Sequence, residues 1–355
     1  MFLAARDFAS QAELFSVPIT GGAPTRLSGA SIATADVDTS FLISANATHA
    51  VFLADRDVDG VFKLYNNALD GSTGLVKLSG TLLASTSVTH VRVTPNGGRV
   101  VHRASRDTAG VFEFYSASST AVSSSIKLSG GIVSGGDTTA NFDLTPDGQR
   151  VVFIAKKDSA TVQRLYSAPV NAANAAVKIS APVTTGAGVF SFGLCPNSAC
   201  VVCIADFTVS EPRSVVLTTT TAPAPIDLSA PVGIVTNLFS TLTSATTFRA
   251  FSIDITPDSR RILWRDNRNS PGRFELFSAA ISVGTPAALV AVSGSIVENG
   301  SVHSIPAISA DLTAILFAAD KDTDGVVELY AVAPTAVAQF LILTAMARCF
   351  PPPMA

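Results

Sequence analysis

Residues 142–170 read FDLTPDGQRVVFIAKKDSATVQRLYSAPV, and residues 91–119 read VRVTPNGGRVVHRASRDTAGVFEFYSASS. The two stretches match almost position for position, so the chain repeats itself, and the repeat decides the fold. Residues 192–207 (FGLCPNSACVVCIADF) and 253–267 (IDITPDSRRILWRDN) join the series, and the more divergent 43–57 (ISANATHAVFLADRD) and 308–322 (ISADLTAILFAADKD) extend it. Ser44, Thr94, Thr145, Cys195, Thr256 and Ser309 mark one equivalent position, at spacings of 50, 51, 50, 61 and 53 residues. An aromatic marker (Phe15, Tyr65, Tyr115, Tyr166, Phe277, Tyr330) ends a recurring ELF, KLY, EFY or RLY element. A third marker, of the LSG type, falls at Leu27, Leu78, Leu128, Ile179, Leu228 and Val292.

Each unit therefore holds four short segments. In the first, apolar and polar residues alternate, as from His90 to Thr94 and from Asn141 to Thr145, which is the period of two of a strand with one face buried. The second (AVFLA, RVVFIA, AILFAA) is apolar on both phases, so both faces should be covered. Between them, Thr-Pro-Asp-Gly is turn chemistry: proline presets its φ, and Asp and Gly accept left-handed backbone. Small four-stranded sheets that cover one another and repeat at this period form a β-propeller. The expected fold is all-β: a seven-bladed β-propeller of four-stranded antiparallel blades, near residues 1–29, 40–80, 90–130, 141–181, 191–230, 251–294 and 305–345. It is one domain over 1–346 with an irregular tail at 347–355. Met1 aligns with Val51, so the first blade is incomplete, its innermost strand missing. The terminal TAMARCFPPPMA lacks alternation and carries three prolines, so it does not read as that strand. Either the ring closes imperfectly or the sequence is a truncated copy of something longer.

Composition bounds the function. With 355 residues, 47% hydrophobic and 14% charged, the chain buries a large core. The net charge of -3 gives no field that favours nucleic acid or an anionic membrane. MFLAARDFASQAELF has neither the basic leader nor the apolar run of a signal peptide. The uncharged window Leu329–Ala347 approaches the length of a membrane helix, but Pro334 and Gln339 interrupt it and the repeat divides it into two strands and a loop, so no membrane span is expected.

The units LTPDGQRVVFIAKKDSATVQRLYSAPV and ADRDVDGVFKLYNNALDGSTGLVKLSG resemble the WD-like propeller repeats of the TolB family, with a Pro-Asp-Gly turn, a Val/Phe-rich strand, an Asp-rich turn and an LY strand. The resemblance spans nearly the whole chain. It implies a periplasmic or extracellular monomer that serves as an interaction platform, or the propeller of a prolyl oligopeptidase-like enzyme, or part of a larger secreted protein.

No Gly-x-Ser-x-Gly elbow occurs, and His49, His90, His102 and His303 fall at four different repeat positions, so neither a hydrolase triad nor a histidine-held metal is expected. Cys195, Cys200 and Cys203 have the C-x4-C-x2-C spacing of plant-type ferredoxins, with Cys349 as a fourth. Yet each of the three replaces a repeat residue, Thr, Arg and Phe in turn, which favours a structural role. Cys195 and Cys200 face each other across a hairpin turn, where an oxidising compartment would allow a local disulfide.

Asp7, Asp57, Asp107, Asp158 and Asp322 share one register position, with Thr208 and Asn269 in the remaining units, which points to a turn-forming role. Two units carry a full triplet before glycine: Asp55, Asp57, Asp59 and Asp320, Asp322, Asp324. Three carboxylates at alternate positions can wrap calcium at about 2.4 Å, as in an EF-hand. The bidentate Glu such a loop needs at its twelfth position is Asn66 in one and Ala331 in the other. Those turns share a face with the inter-blade connections, including the insertion PVGIVTNLFSTLTSATTFRAF (231–251). The polar phase of the innermost strands adds Arg92, Asp143 and Asp254 as ligand-contacting candidates. The expected function is a non-catalytic scaffold that engages a protein or peptide through the Asp-turn face. The alternatives are a propeller enzyme acting on polysaccharide or peptide, and a calcium-stabilised structural module of a larger secreted protein.

Overall fold

A computed structural model describes residues 1–5, 11–30, 32, 34–44, 46–120, 125–180, 188–206, 214–219, 236–237, 252–267, 269–270, 272–281, 290–303, 306–333 and 341–342. Every regular element among them is a β-strand, and the fold is the seven-bladed β-propeller that the repeat predicts. The chain divides into two compact units, Met1–Lys178 and Ile179–Ala355.

The first unit holds four sheets. β1 (Phe2–Ala4), β2 (Glu13–Ser16) and β3 (Thr25–Arg26) form blade 1, which has three strands. Blade 2 follows as β4 (Val37–Ile43), β5 (His49–Ala54), β6 (Lys63–Ala68) and β7 (Val76–Lys77). Blade 3 is β8 (Val88–Val93), β9 (Arg99–Ala104), β10 (Glu113–Ser118) and β11 (Ile126–Lys127). Blade 4 is β12 (Thr138–Leu144), β13 (Arg150–Ala155), β14 (Arg164–Pro169) and β15 (Val177–Lys178). All pairings are between sequence neighbours and antiparallel, so each blade is a meander.

The second unit repeats the pattern. Blade 5 is β16 (Gly188–Leu194), β17 (Cys200–Asp206), β18 (Ser214–Thr219) and β19 (Thr236–Asn237). Blade 6 is β20 (Ser252–Ile255), β21 (Arg261–Asp266), β22 (Glu275–Ala280) and β23 (Val290–Ala291). Blade 7 is β24 (Ala307–Ile308), β25 (Ile315–Ala319), β26 (Glu328–Val332) and β27 (Leu341–Ile342). The window Leu329–Ala347 is thus split between β26 and β27, and no helix among the described residues is long and apolar enough to cross a membrane. The fourth strand of blade 5 lies inside the stretch read as an insertion, not beside Leu228. Two exchanges accompany this shift: Thr208 stands in place of the turn Asp, and Asp227 in place of the Lys that precedes the LSG marker in blades 2 to 4.

Side chains that are apolar on both phases of the second strand are buried on both faces, as expected: Val151, Val152, Phe153, Ile154 and Ala155 are each at most 1% exposed. The core lies between neighbouring sheets. Phe114 of blade 3 packs on Phe142 and Phe153 of blade 4, with ring centroids 4.7 and 4.9 Å apart. In the second unit Val202 packs with Ile262 and Trp264, and Leu263 with Phe317 and Tyr330. Burying one such aromatic contributes about 1.5–3 kcal/mol.

The hairpin turns between first and second strands share one backbone. Their fourth residue has positive φ in all six: Ala47 (52°), Gly97 (71°), Gly148 (68°), Ser198 (63°), Ser259 (58°) and Leu312 (61°). Only two of these are the glycine that such a conformation favours.

Candidate functional site

The three sequence markers of each unit meet in space. The LY-strand aromatic lies opposite the second-strand aromatic: Phe52 with Tyr65, Phe153 with Tyr166, Trp264 with Phe277 and Phe317 with Tyr330, ring centroids 6.1, 5.7, 6.0 and 5.6 Å apart. A basic residue just before the turn Asp lies over the tyrosine ring, Arg56 over Tyr65 at 5.6 Å, Arg106 over Tyr115 at 5.2 Å, Lys157 over Tyr166 at 5.9 Å and Lys321 over Tyr330 at 5.7 Å. The phenol of Tyr65 donates to Asp57 at 3.1 Å and that of Tyr330 to Asp322 at 3.2 Å. The lysine ahead of the LSG marker closes the circuit, Lys77 on Asp57 at 3.4 Å, Lys127 on Asp107 at 3.1 Å and Lys178 on Asp158 at 3.7 Å. The recurring Asp is therefore the hub that joins turn, third strand and fourth strand of one blade. The Lys63 ammonium at 2.9 Å, opposed by partial burial, leaves the Asp57 carboxyl below the usual range, and Lys321 does the same for Asp322. Burial, joined by Asp57, pushes the Tyr65 phenol well up.

The two acidic triplets do not converge on a point. Asp55 is buried and accepts the amides of Asp36 at 2.5 Å and Gly60 at 2.8 Å. Asp320 accepts those of Ser301 at 2.5 Å and Gly325 at 3.2 Å, and touches His303 Nε2 at 2.9 Å. Burial raises the Asp320 carboxyl, but these contacts outweigh it and hold the group low. In blade 3 a hydroxyl serves instead, with Ser105 Oγ accepting the Gly110 amide at 2.9 Å. Asp57 and Asp322 face ammonium groups, and Asp59 and Asp324 stand at the turn tips. Among the described residues no three His, Cys, Asp or Glu side chains form a group that could hold a metal ion.

The innermost strands present a different surface. Arg92 on β8 and Asp143 on β12, in adjacent blades of the first unit, approach to 3.7 Å with side chains 51% and 61% exposed. The Arg92 guanidinium also lies over the Phe142 ring at 5.4 Å and donates to the Val91 carbonyl at 3.1 Å. His90, on the same strand, is held below its usual pKa by partial burial and by Arg103 and Arg92. Asp254 occupies the matching position on β20 of the second unit; burial raises its pKa, against the hydrogen bond it accepts from the Ile255 amide.

The remaining histidines are dispersed. His102 is wholly buried against Tyr115 at 5.8 Å with neither ring nitrogen in a well-formed hydrogen bond, and burial, with Arg106 adding to it and the Val100 backbone opposing, lowers its pKa to about 3. His49 contacts Thr48 at 2.7 Å. Cys195 and Cys200 form a disulfide and Cys203 is a free buried thiol, so the ferredoxin-like spacing serves the hairpin. Asp7, Thr208, Cys349 and most of the 231–251 loop lie outside the described residues. The basic partners of the turn Asp escaped the sequence reading. Their signal was present, since the pairs 57–77, 107–127 and 158–178 each span the same interval.

No family model matches the chain, and no curated protein matches it. Solved structures do. A prolyl endopeptidase matches with TM-score 0.50 and 13% identity over 93% of this chain and 46% of its own. Oligopeptidase B from Leishmania major matches with TM-score 0.52 and 10% identity, over 90% of this chain and 43% of its own. A putative TolB from Agrobacterium tumefaciens matches with TM-score 0.39 and 12% identity, over 77% of this chain and 84% of its own. The chain spans less than half the length of the two peptidases. The likeness is one of fold: these repeats build the β-propeller that the TolB-like pattern implied.

Proposed function

We propose that the protein is a non-catalytic binding scaffold that engages a protein or peptide through the innermost strands of its blades. The Arg92–Asp143 pair carries this reading. In blades 2 to 4 the turn carboxylates are held in ion pairs within their own blade, whereas this pair joins two blades and remains more than half exposed on strands whose neighbours are fully buried. A surface pair of this kind adds about 0–1 kcal/mol to stability, so its worth to the fold is small and both charges are available to a partner. A periplasmic or extracellular setting fits the Cys195–Cys200 disulfide, which belongs to oxidising compartments.

The test is a random peptide display selection on the wild type and on the Arg92→Ala/Asp143→Ala double variant. Peptides that bind the wild type and lose at least tenfold in affinity on the variant are the expected outcome. Equal binding by both proteins would place the contact surface elsewhere.

A further inference from the structure

Five of the hairpin turns hold themselves shut with a hydroxyl. Thr94, Thr145 and Thr256 accept the amides of Arg99, Arg150 and Arg261 at 3.0, 3.0 and 2.9 Å, and donate to Asn96, Asp147 and Asp258. Ser44 and Ser309 accept the amides of His49 and Ala314 at 3.0 and 2.9 Å. Where the partner is arginine, its Nε continues to the third strand, to Ser116, Ser167 and Ser278 at 2.8, 2.8 and 2.9 Å.

The turn of blade 5 changes all three parts together. Position 195 is a cysteine and has no hydroxyl, and position 200 is a cysteine and has no guanidinium. The residue opposite Val202 is Leu217, whereas Ser116, Ser167 and Ser278 stand opposite Val101, Val152 and Leu263. The turn backbone is kept, with the Cys195 amide donating to the Cys200 carbonyl at 2.9 Å, as Thr94 does to Arg99. A disulfide between Cα atoms 5.2 Å apart replaces the hydroxyl staple. The turn is also tied to the next one, since the Asn197 amide donates to Ser259 Oγ at 2.9 Å, and Cys200 packs against the Val202, Ile262 and Trp264 cluster.

We propose that Cys195 and Cys200 form a thiol–disulfide exchange site, open to small thiols and small disulfides, that sets how firmly the fifth hairpin turn is held. In the reducing direction a small-molecule thiolate attacks the sulfur of Cys200, the less enclosed of the two because Cys195 is fully buried. The S–S bond breaks, the electron pair leaves on the Cys195 sulfur, and that thiolate takes a proton. A second thiolate then attacks the mixed disulfide. The Cys200 sulfur leaves and is protonated, and the two small thiols end as one small disulfide. A low-molecular-weight disulfide runs the same steps backwards. Cys203 stays out of the exchange: it is enclosed in β17, and burial pushes its thiol up to about 12. Once reduced, this turn alone among the six lacks both the covalent bond and the hydroxyl acceptor.

Peptide mapping after alkylation of the unfolded chain, with and without prior incubation of the folded protein in millimolar dithiothreitol, reads the exchange. Melting under the same two conditions reads its effect on the turn. The Cys195→Ser/Cys200→Ala double variant is the control, because it rebuilds the Ser309–Ala314 staple of blade 7. Expected are labels on Cys195 and Cys200 only after reductant, with the wild-type Tm lowered by about 2 °C or more and the double variant unmoved by reductant. Labelling that reductant does not change, full reduction with no melting shift, or an equal shift in the double variant would each overturn the proposal.

Discussion

Blades 3 and 4 agree at almost every position, yet one buries His102 where the other buries Phe153. Both rings are fully buried, and both lie against a third-strand tyrosine at nearly equal distance, 5.8 Å for Tyr115 and 5.7 Å for Tyr166. The difference is in polar atoms. Phe153 brings none into the core, whereas His102 brings two ring nitrogens with no well-formed hydrogen bond. Register therefore dictates the shape of the slot, and the imidazole is tolerated in it at a cost of about 1–3 kcal/mol for the buried polar ring.

Truncation probes the contrast most strongly. Phe153→Ala should cost about 3–5 kcal/mol in chemical denaturation, and His102→Ala clearly less, because its cavity also removes the two unmet nitrogens. Equal losses would mean that the nitrogens have partners in solution. Filling the slot comes next: His102→Phe should stabilise blade 3 by about 1–3 kcal/mol at neutral pH. The gain should widen in acid. The His102 pKa is lowered from 6.5 to about 3 in the folded chain. The unfolded chain thus takes up a proton that the native chain refuses, so stability falls as pH drops from about 6.5 towards 3, by at most about 1.4 kcal/mol per pH unit. Denaturation midpoints of wild type and His102→Phe that run parallel across that window would contradict this.

Features that the two blades share should respond alike. Thr94→Val and Thr145→Val each remove the acceptor of a buried amide and should each cost about 1–2 kcal/mol by urea denaturation. The turn carboxylates come after these. Lys127 is shared between Asp107 and Glu113, whereas Lys178 has Asp158 at 3.7 Å, and Asp107 and Asp158 are roughly half exposed. Asp107→Asn and Asp158→Asn should therefore each cost under about 1 kcal/mol. The smallest effect is reserved for the triplets of blades 2 and 7: with Asp55 and Asp320 turned to amides and Asp57 and Asp322 to ammonium groups, millimolar calcium should leave Tm unchanged, and a rise would favour calcium at these turns.

The blades were legible because their signals are local. Thr-Pro-Asp-Gly fixes a turn by its own backbone preferences, and alternation at Val91–Val93 or Phe142–Leu144 needs no distant partner. The site was less so. Asp55, Asp57 and Asp59 look like one cluster because they are close in sequence, but Asp55 is buried on the Asp36 and Gly60 amides, whereas the partners of Asp57 come from two other strands. Arg92 and Asp143 were singled out separately by the polar phase of their strands. Their pairing required the spacing between blades, which no single-strand pattern carries.

The circuit of basic residue, tyrosine, aspartate and lysine carries one further consequence. In blades 2 to 4 each aspartate finds its cation inside its own unit, so the pairing travels with the unit when it is copied. An array assembled from such units can grow by gene duplication with every copy bringing the partner of its own turn carboxylate, so none of these aspartates waits on a neighbouring blade for its counter-charge.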